Sequence, residues 1–297
     1  MKFNQINWVV IWEELYHWSS DTKEGAKFNS IYTGQAVFTT MSSIGWKIYF
    51  LEDHLDRLLD NALVLDIIDT KKIKYLRKEL EELIFRLNRK VYNLYSIDME
   101  IKVYLSKNFF NNEVIYNIFF LKYPNIFRKF FKKWIKLKVV KMKRLIPETK
   151  NVCFLVSYLA QKEAIQSWFD DALFVENDWR IKEWTTSNVF FSVKNLRGDN
   201  VRIITPNRDI LFWVTRKKVI SLLKEEGFQV EERDVYLDEI KKYLSCSDYE
   251  VSSFITWTTK TVIPVKNIDN LKFDLKFSKF VRDLLRKKYW DLEKIKI

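Results

Sequence analysis

RLIPETKNVCFLVSYLAQKEAIQSWFDDALFVENDWRIKEWTTSNVFF, Arg144–Phe191, is the stretch from which the rest of the chain is read. It carries one lysine, Lys150, after a basic run, IKLKVVKMKR, whose apolar and basic residues alternate, as they do in a strand with one buried face. A helix is predicted next over Phe154–Ser167. It sets Leu155, Leu159, Ala160 and Ile165 near one face and Gln161, Lys162 and Glu163 outside. Two short strands, DALFVEN and RIKE, then lead to Glu183 and, through a turn, to Asn188 in NVFFSV.

Strand-like runs precede this stretch at Trp8–Glu13, Gln35–Met41 and Lys47–Leu51. The segment LEDHLDRLLDNALVLDI puts Leu51, Leu55, Leu58, Leu59, Ala62 and Leu65 on one helical face. A second helix, Lys71 to Arg89, turns Leu76, Leu80, Leu83 and Ile84 inward, and strands follow at Met99–Leu105 and Val114–Leu121. Tyr123-Pro124-Asn125 is the best boundary, because proline continues neither a helix nor a ladder. Residues 1–122 are therefore expected to form a small α/β domain and 126–297 a larger one. Downstream come a strand at Val201–Thr205, a helix at Thr215–Glu226 and strands at Phe228–Arg233, Val251–Ile255 and TVIPV, with helices at Leu237–Tyr243 and Phe277–Asp291. Gly227 suits a left-handed cap for the first of these helices. The fold class is α/β (α+β) in two domains.

The 297 residues carry 47% apolar and 30% charged side chains, the balance of a soluble globular protein. No apolar run reaches the ~18 residues of a membrane helix, and MKFNQINWVVIW has no signal-peptide pattern. Two cysteines, Cys153 and Cys246, are too few for a disulfide framework or a zinc site, so a cytoplasmic protein is expected. The net charge of +12 is spread along the chain and interleaved with acids, as in KELEELIFRLNRK. That pattern argues against a nucleic-acid partner. HExxH, P-loop, GxGxxG and GxSxG motifs are absent, and His17 and His54 are the only histidines. Such a chain, if an enzyme, depends on a cofactor for the difficult step.

TKNVCFLVSYLAQKEA leading into KEWTTSNVFF resembles the core of the class IV aminotransferases, the fold type IV pyridoxal-phosphate enzymes. The resemblance implies a pyridoxal 5'-phosphate cofactor, Lys150 as its Schiff-base lysine, and Glu183 facing the pyridine nitrogen. A Schiff-base lysine must spend time as the neutral amine, and a carboxylate facing the ring keeps it cationic, so that it accepts electrons from the substrate. The phosphate cup falls in three further stretches. HLDRL supplies Arg57; ILFWVTRKKVISLL supplies Leu211 against the ring and Val214 and Thr215 at a helix N-terminus; FITWTTKTVIPV supplies Thr258 and Thr259. A guanidinium fork, orphan helix N–H groups and hydroxyls all suit a phosphate. Asn188 belongs to the same cofactor set by resemblance. Each site in a homodimer is expected near the domain interface.

GQAVFTTM, Gly34–Met41, bears on the substrate. Phe38 and Thr39 are the candidate substrate residues; Thr39 stands where aminotransferases of the family usually have an acid, which brings the strip closer to aminodeoxychorismate lyase. Glu100 stands where many relatives carry an arginine for the substrate carboxylate, with Lys102 and Lys107 nearby. The expected reaction is transamination between an amino acid, branched-chain or similar, and a 2-oxo acid. The alternative is 4-amino-4-deoxychorismate lyase chemistry.

Glycine is scarce. A chain of this length has roughly 20 at the usual frequency; this one has 5, beside 11 tryptophans. Trp46, Trp134, Trp168, Trp179, Trp184, Trp213 and Trp257 all stand where the family has glycine. Those glycines supply positive-φ turns or let backbone approach phosphate, roles an indole cannot fill. A gene whose UGA codons encode glycine, read as though they encoded tryptophan, gives this pattern. If Trp184, Trp213 and Trp257 are genuine, a non-catalytic relative is expected instead.

Overall fold

In the computed structural model, the described residues are 8–10, 34–107, 113–122, 134–198, 200–257 and 261–289. They fall into two compact units: one takes the residues up to Pro124 together with Thr149–Cys153, and the other takes Asn125–Glu148 and Phe154–Glu293.

The first unit is an antiparallel sheet under two helices. Its strands, β1 (Trp8–Val10), β2 (Ala36–Ile44), β3 (Lys47–Ile48), β4 (Met99–Lys107) and β5 (Val114–Lys122), lie in the order β1-β5-β4-β2-β3. Helix α1 (Leu51–Val64) buries Leu51, Leu55, Leu58, Leu59 and Ala62, the face its periodicity predicts. Those residues pack with Val37, Met41, Ile101 and Val103 of the sheet. Helix α2 (Ile73–Tyr95) adds Leu76, Leu80 and Ile84, while Leu83 is only partly buried. Each fully buried leucine here contributes roughly 1.5–3 kcal/mol. The predicted strand at Lys47–Leu51 shortens to two residues because Leu51 starts the helix. The residues predicted as strand beyond Val10 lie outside the described residues, as does the Tyr123–Asn125 boundary.

The second unit is built on a ten-stranded mixed sheet in the order β11-β10-β9-β13-β14-β6-β7-β8-β12, with β15 also paired to β14. The strands are β6 (Ile135–Val140), β7 (Asp171–Val175), β8 (Arg180–Trp184), β9 (Asn188–Asn195), β10 (Val201–Thr205), β11 (Gln229–Glu232), β12 (Val235–Tyr236), β13 (Tyr249–Trp257), β14 (Thr261–Ile268) and β15 (Leu271–Lys272). The helices are α3 (Leu155–Gln166), α4 (Val214–Glu225), α5 (Leu237–Ser245) and α6 (Lys276–Tyr289). Pro264 sits inside β14 opposite Phe254, and a register shift follows between Val265 and Asn267 on the side facing β6. A residue without an N–H is tolerated beside such an irregularity.

Two expectations are corrected here. Helix α3 buries Ser157, Ala160 and Ala164 and leaves Leu155, Leu159 and Ile165 exposed. Small residues allow close approach to the sheet, so the larger apolar ones face outward. The expected boundary puts Lys150 in the larger domain, 126–297, after the basic strand. That strand ends at Val140, and Thr149–Cys153 packs with the first unit. The reason is backbone pairing: the N–H of Phe38 donates to the Lys150 carbonyl at 2.9 Å, and the Val152 N–H to Ala36 at 3.1 Å.

Candidate functional site

In the first unit, Lys150 is buried at 6% exposure, with Nζ 4.4 Å from the centroid of the Phe38 ring. Its backbone N–H donates to Oδ1 of Asn61 on α1 at 2.8 Å. Gly34, at φ +80°, precedes β2, and a Cβ there would stand 2.8 Å from Sγ of Cys153. Asn61, Gly34 and the pairing to β2 together fix the lysine segment.

Alternation along β2 sends neighbours to opposite faces. Phe38 stacks on Tyr104 with centroids 5.3 Å apart, and Thr40 pairs with Lys102 and Ser42 with Glu100 on the same face. Lys102 Nζ lies 3.1 Å from Glu100. Thr39 faces α1 instead. Its Oγ1 accepts from Nη2 of Arg57 at 2.8 Å and lies 2.9 Å from Nδ1 of His54. Burial lowers the Arg57 guanidinium to about 10, and it stays protonated at neutral pH. His54, wholly buried, went unassigned in the sequence. Its spacing of three from Arg57 places both on one helical face, which was a usable signal.

In the second unit, Glu183 is 1% exposed at the end of β8. Arg144 Nη1 donates to its Oε1 at 2.6 Å. Its Oε2 accepts from the Leu211 N–H at 3.1 Å and from the indole Nε1 of Trp213 at 3.2 Å. Burial raises the carboxyl above the ordinary glutamate range, while Arg144 and the Trp213 and Leu211 N–H groups pull the other way. Arg144 is 39 positions from Glu183, too far for any local pattern to link them. Asn188 holds the same loop, donating to the Leu211 carbonyl at 2.9 Å and accepting from the Trp213 N–H at 3.4 Å. Val214 and Thr215 are buried in the first turn of α4, just after Trp213.

Thus the structure gathers Lys150, Phe38, Thr39 and Arg57 within one unit and Glu183, Asn188, Leu211, Val214 and Thr215 within the other. Thr258 and Thr259 lie outside the described residues.

Residues 36–268 match the family described as amino-transferase class IV. The chain belongs to the class IV aminotransferases. A probable branched-chain-amino-acid aminotransferase of Aquifex aeolicus is 31% identical, over 82% of this chain and 79% of the relative. A relative of the same description from Rickettsia bellii is 27% identical over 96% of both chains. Among solved structures, a hypothetical aminotransferase from Mycobacterium tuberculosis in its PLP-bound form superposes with a TM-score of 0.74 at 14% identity. It covers 88% of this chain and 90% of its own, and that likeness concerns the fold.

The cofactor expected from the family does not fit at Glu183 as the side chains stand. The carboxylate that would meet a pyridine nitrogen is taken by the indole of Trp213 and by Arg144. The cavity beside it, lined also by Phe174, Lys182 and Asp209, has a volume of about 10 Å³, room for about one water.

Proposed function

We propose that this chain is a pyridoxal-phosphate-dependent aminotransferase acting on branched-chain or similar amino acids with a 2-oxo acid as acceptor. The observation that carries the reading is a buried lysine amine, Lys150, inside the segment that matches the family. The relatives named for branched-chain amino acids support the substrate class. The cofactor, when bound, supplies an electron sink for the substrate α-carbon. Lys150 would hold the cofactor through its amine and, when freed, would be placed to take the substrate α-proton. By the family resemblance, Arg57, Val214, Thr215, Thr258 and Thr259 would hold the phosphate, and Leu211 would meet the ring. Glu183, steadied by Asn188 through the Leu211 loop, serves the pyridine nitrogen once the indole is gone. Phe38 and Tyr104 form an aromatic wall beside Lys150 that suits an apolar side chain.

A cytoplasmic homodimer is part of the reading. Among the described residues no helix is long and apolar enough to cross a membrane. Phe154, Leu155, Tyr158 and Leu159 are exposed together at the start of α3, the sort of apolar surface a second copy covers.

The test is an amino-donor screen with leucine, isoleucine and valine against 2-oxoglutarate, after incubation with pyridoxal phosphate. Keto-acid formation that disappears in Lys150→Ala supports the proposal. Release of 4-aminobenzoate from aminodeoxychorismate, with no keto-acid formation, refutes it.

A further inference from the structure

Three tryptophans occupy backbone conformations that bulky residues avoid. Trp46, Trp168 and Trp179 have φ of 67°, 66° and 66°, the left-handed region that glycine enters without steric cost. The other non-glycine residues there, among the described ones, are Phe50, Asp66, Ser96, Asp209 and Asp269. Aspartate tolerates it through local hydrogen bonds; an aromatic residue has no such help.

Each tryptophan sits in a different motif, and each motif has its own reason to want glycine. Gly45-Trp46 forms the two-residue loop between β2 and β3, closed by pairing of Ile44 with Lys47. Both loop residues have positive φ, the mark of a type I′ turn. Trp168 follows α3: its N–H donates to the Ile165 carbonyl at 3.1 Å, and the Phe169 N–H to Ala164 at 3.0 Å. That is a Schellman cap with tryptophan at the glycine position. Trp179 closes the β7–β8 hairpin, where its N–H donates to Glu176 at 3.0 Å and the Glu176 N–H to Arg180 at 2.8 Å. A type I turn followed by a left-handed residue calls for glycine there.

The chain supplies its own control. Helix α4 ends in the same cap, with the Gly227 N–H on Lys224 at 3.1 Å and the Phe228 N–H on Leu223 at 2.9 Å. There the left-handed residue is glycine, at φ 85°. Nor do the indoles repay the conformation with burial. Trp168 is 90% exposed and Trp46 62% exposed. Trp179 has Lys141 over its ring at 4.0 Å, a contact of modest strength on the surface.

Trp213 adds a fourth position by a separate route. Its backbone is extended, at φ −71° and ψ 144°, so conformation is silent. Its side chain is what conflicts with the site, since the indole takes the Glu183 oxygen that a pyridine nitrogen needs. This fourth position rests on the proposed function; the three turns do not.

We infer that the polypeptide made in its own cell carries glycine at 46, 168, 179 and 213, because the gene writes these positions with UGA and that cell reads UGA as glycine. The low glycine count beside a high tryptophan count points the same way.

Two measurements decide it. Codon sequencing is expected to show UGA at all four positions, and mass spectrometry of peptides from the protein isolated from its native cells to show glycine at each. UGG, or a tryptophan-containing peptide, at any of them overturns the inference. The enzymatic reading fails separately. Glycine in every peptide, with no pyridoxal-phosphate absorbance band in the native protein, upholds the decoding and removes the aminotransferase proposal. Tryptophan in the peptides with a band that Lys150→Ala abolishes does the reverse.

Discussion

The indole N–H of Trp213 and the carboxylate of Glu183 are hydrogen-bonded at 3.2 Å in a buried setting. A carboxylate kept out of water is also held by Arg144 at 2.6 Å. The second oxygen, shared by Leu211 and Trp213, is the one a ligand must win. Only the indole can be removed without breaking the backbone or leaving the acid unpaired.

Trp213→Gly is therefore expected to tighten pyridoxal-phosphate binding by about tenfold or more, since a hydrogen bond to a charged group contributes roughly 1.5–3 kcal/mol. Absorbance titration of the two proteins measures it. Equal affinities would show that the indole does not compete.

Trp168→Gly is expected to raise stability by about 1 kcal/mol, the scale of the penalty for a left-handed side chain. Almost no contact is lost, because Trp168 is 90% exposed. Gly227→Ala, at the matching cap of α4, is expected to lower stability by a similar amount. Urea unfolding checks both, and a destabilised Trp168→Gly protein would contradict the argument.

The lysine segment is held from outside. Asn61→Ala removes the acceptor of the Lys150 N–H and is expected to cost about 1–3 kcal/mol at a buried site. Gly34→Ala brings a Cβ against Cys153 and displaces the same segment. Both variants are expected to lose kcat at least tenfold, because misplacing a reacting group is costly. Wild-type kcat in either would mean that the segment holds itself.

Burial raises the carboxyls of Glu183 and Asp171 in the folded protein. A raised acid favours the state that binds protons, so its contribution is fully present below the unfolded pKa and is lost as pH climbs through the folded one. For the apo protein, stability is expected to fall as pH rises from about 4. Asp171→Asn is expected to flatten that decline in denaturant curves taken across the pH range. An unchanged slope would assign the decline to other groups.

Much of the fold was legible because its periods are clear. The apolar face of α1 and Gly227 as a cap each express a local rule. Helix α3 misled for a physical reason: Leu155, Leu159 and Ile165 look like a core face, yet Ala160 and Ala164 meet the sheet and the leucines stay outside. No local rule covers the placement of Lys150, which follows from pairing with β2 more than a hundred positions earlier in the chain. Arg144 was invisible as a partner of Glu183 for the same reason. The tryptophans were the opposite case. Their positions stood out in the sequence, and the backbone at 46, 168 and 179 gives the physical reason, whereas Trp184 packs into the core of its sheet.

The most direct trial of the enzymatic claim is borohydride reduction of the native protein with pyridoxal phosphate, followed by peptide mapping. The account predicts one stable pyridoxyl label, on the peptide that contains Lys150. A label carried by another lysine, or no label at all, would contradict it.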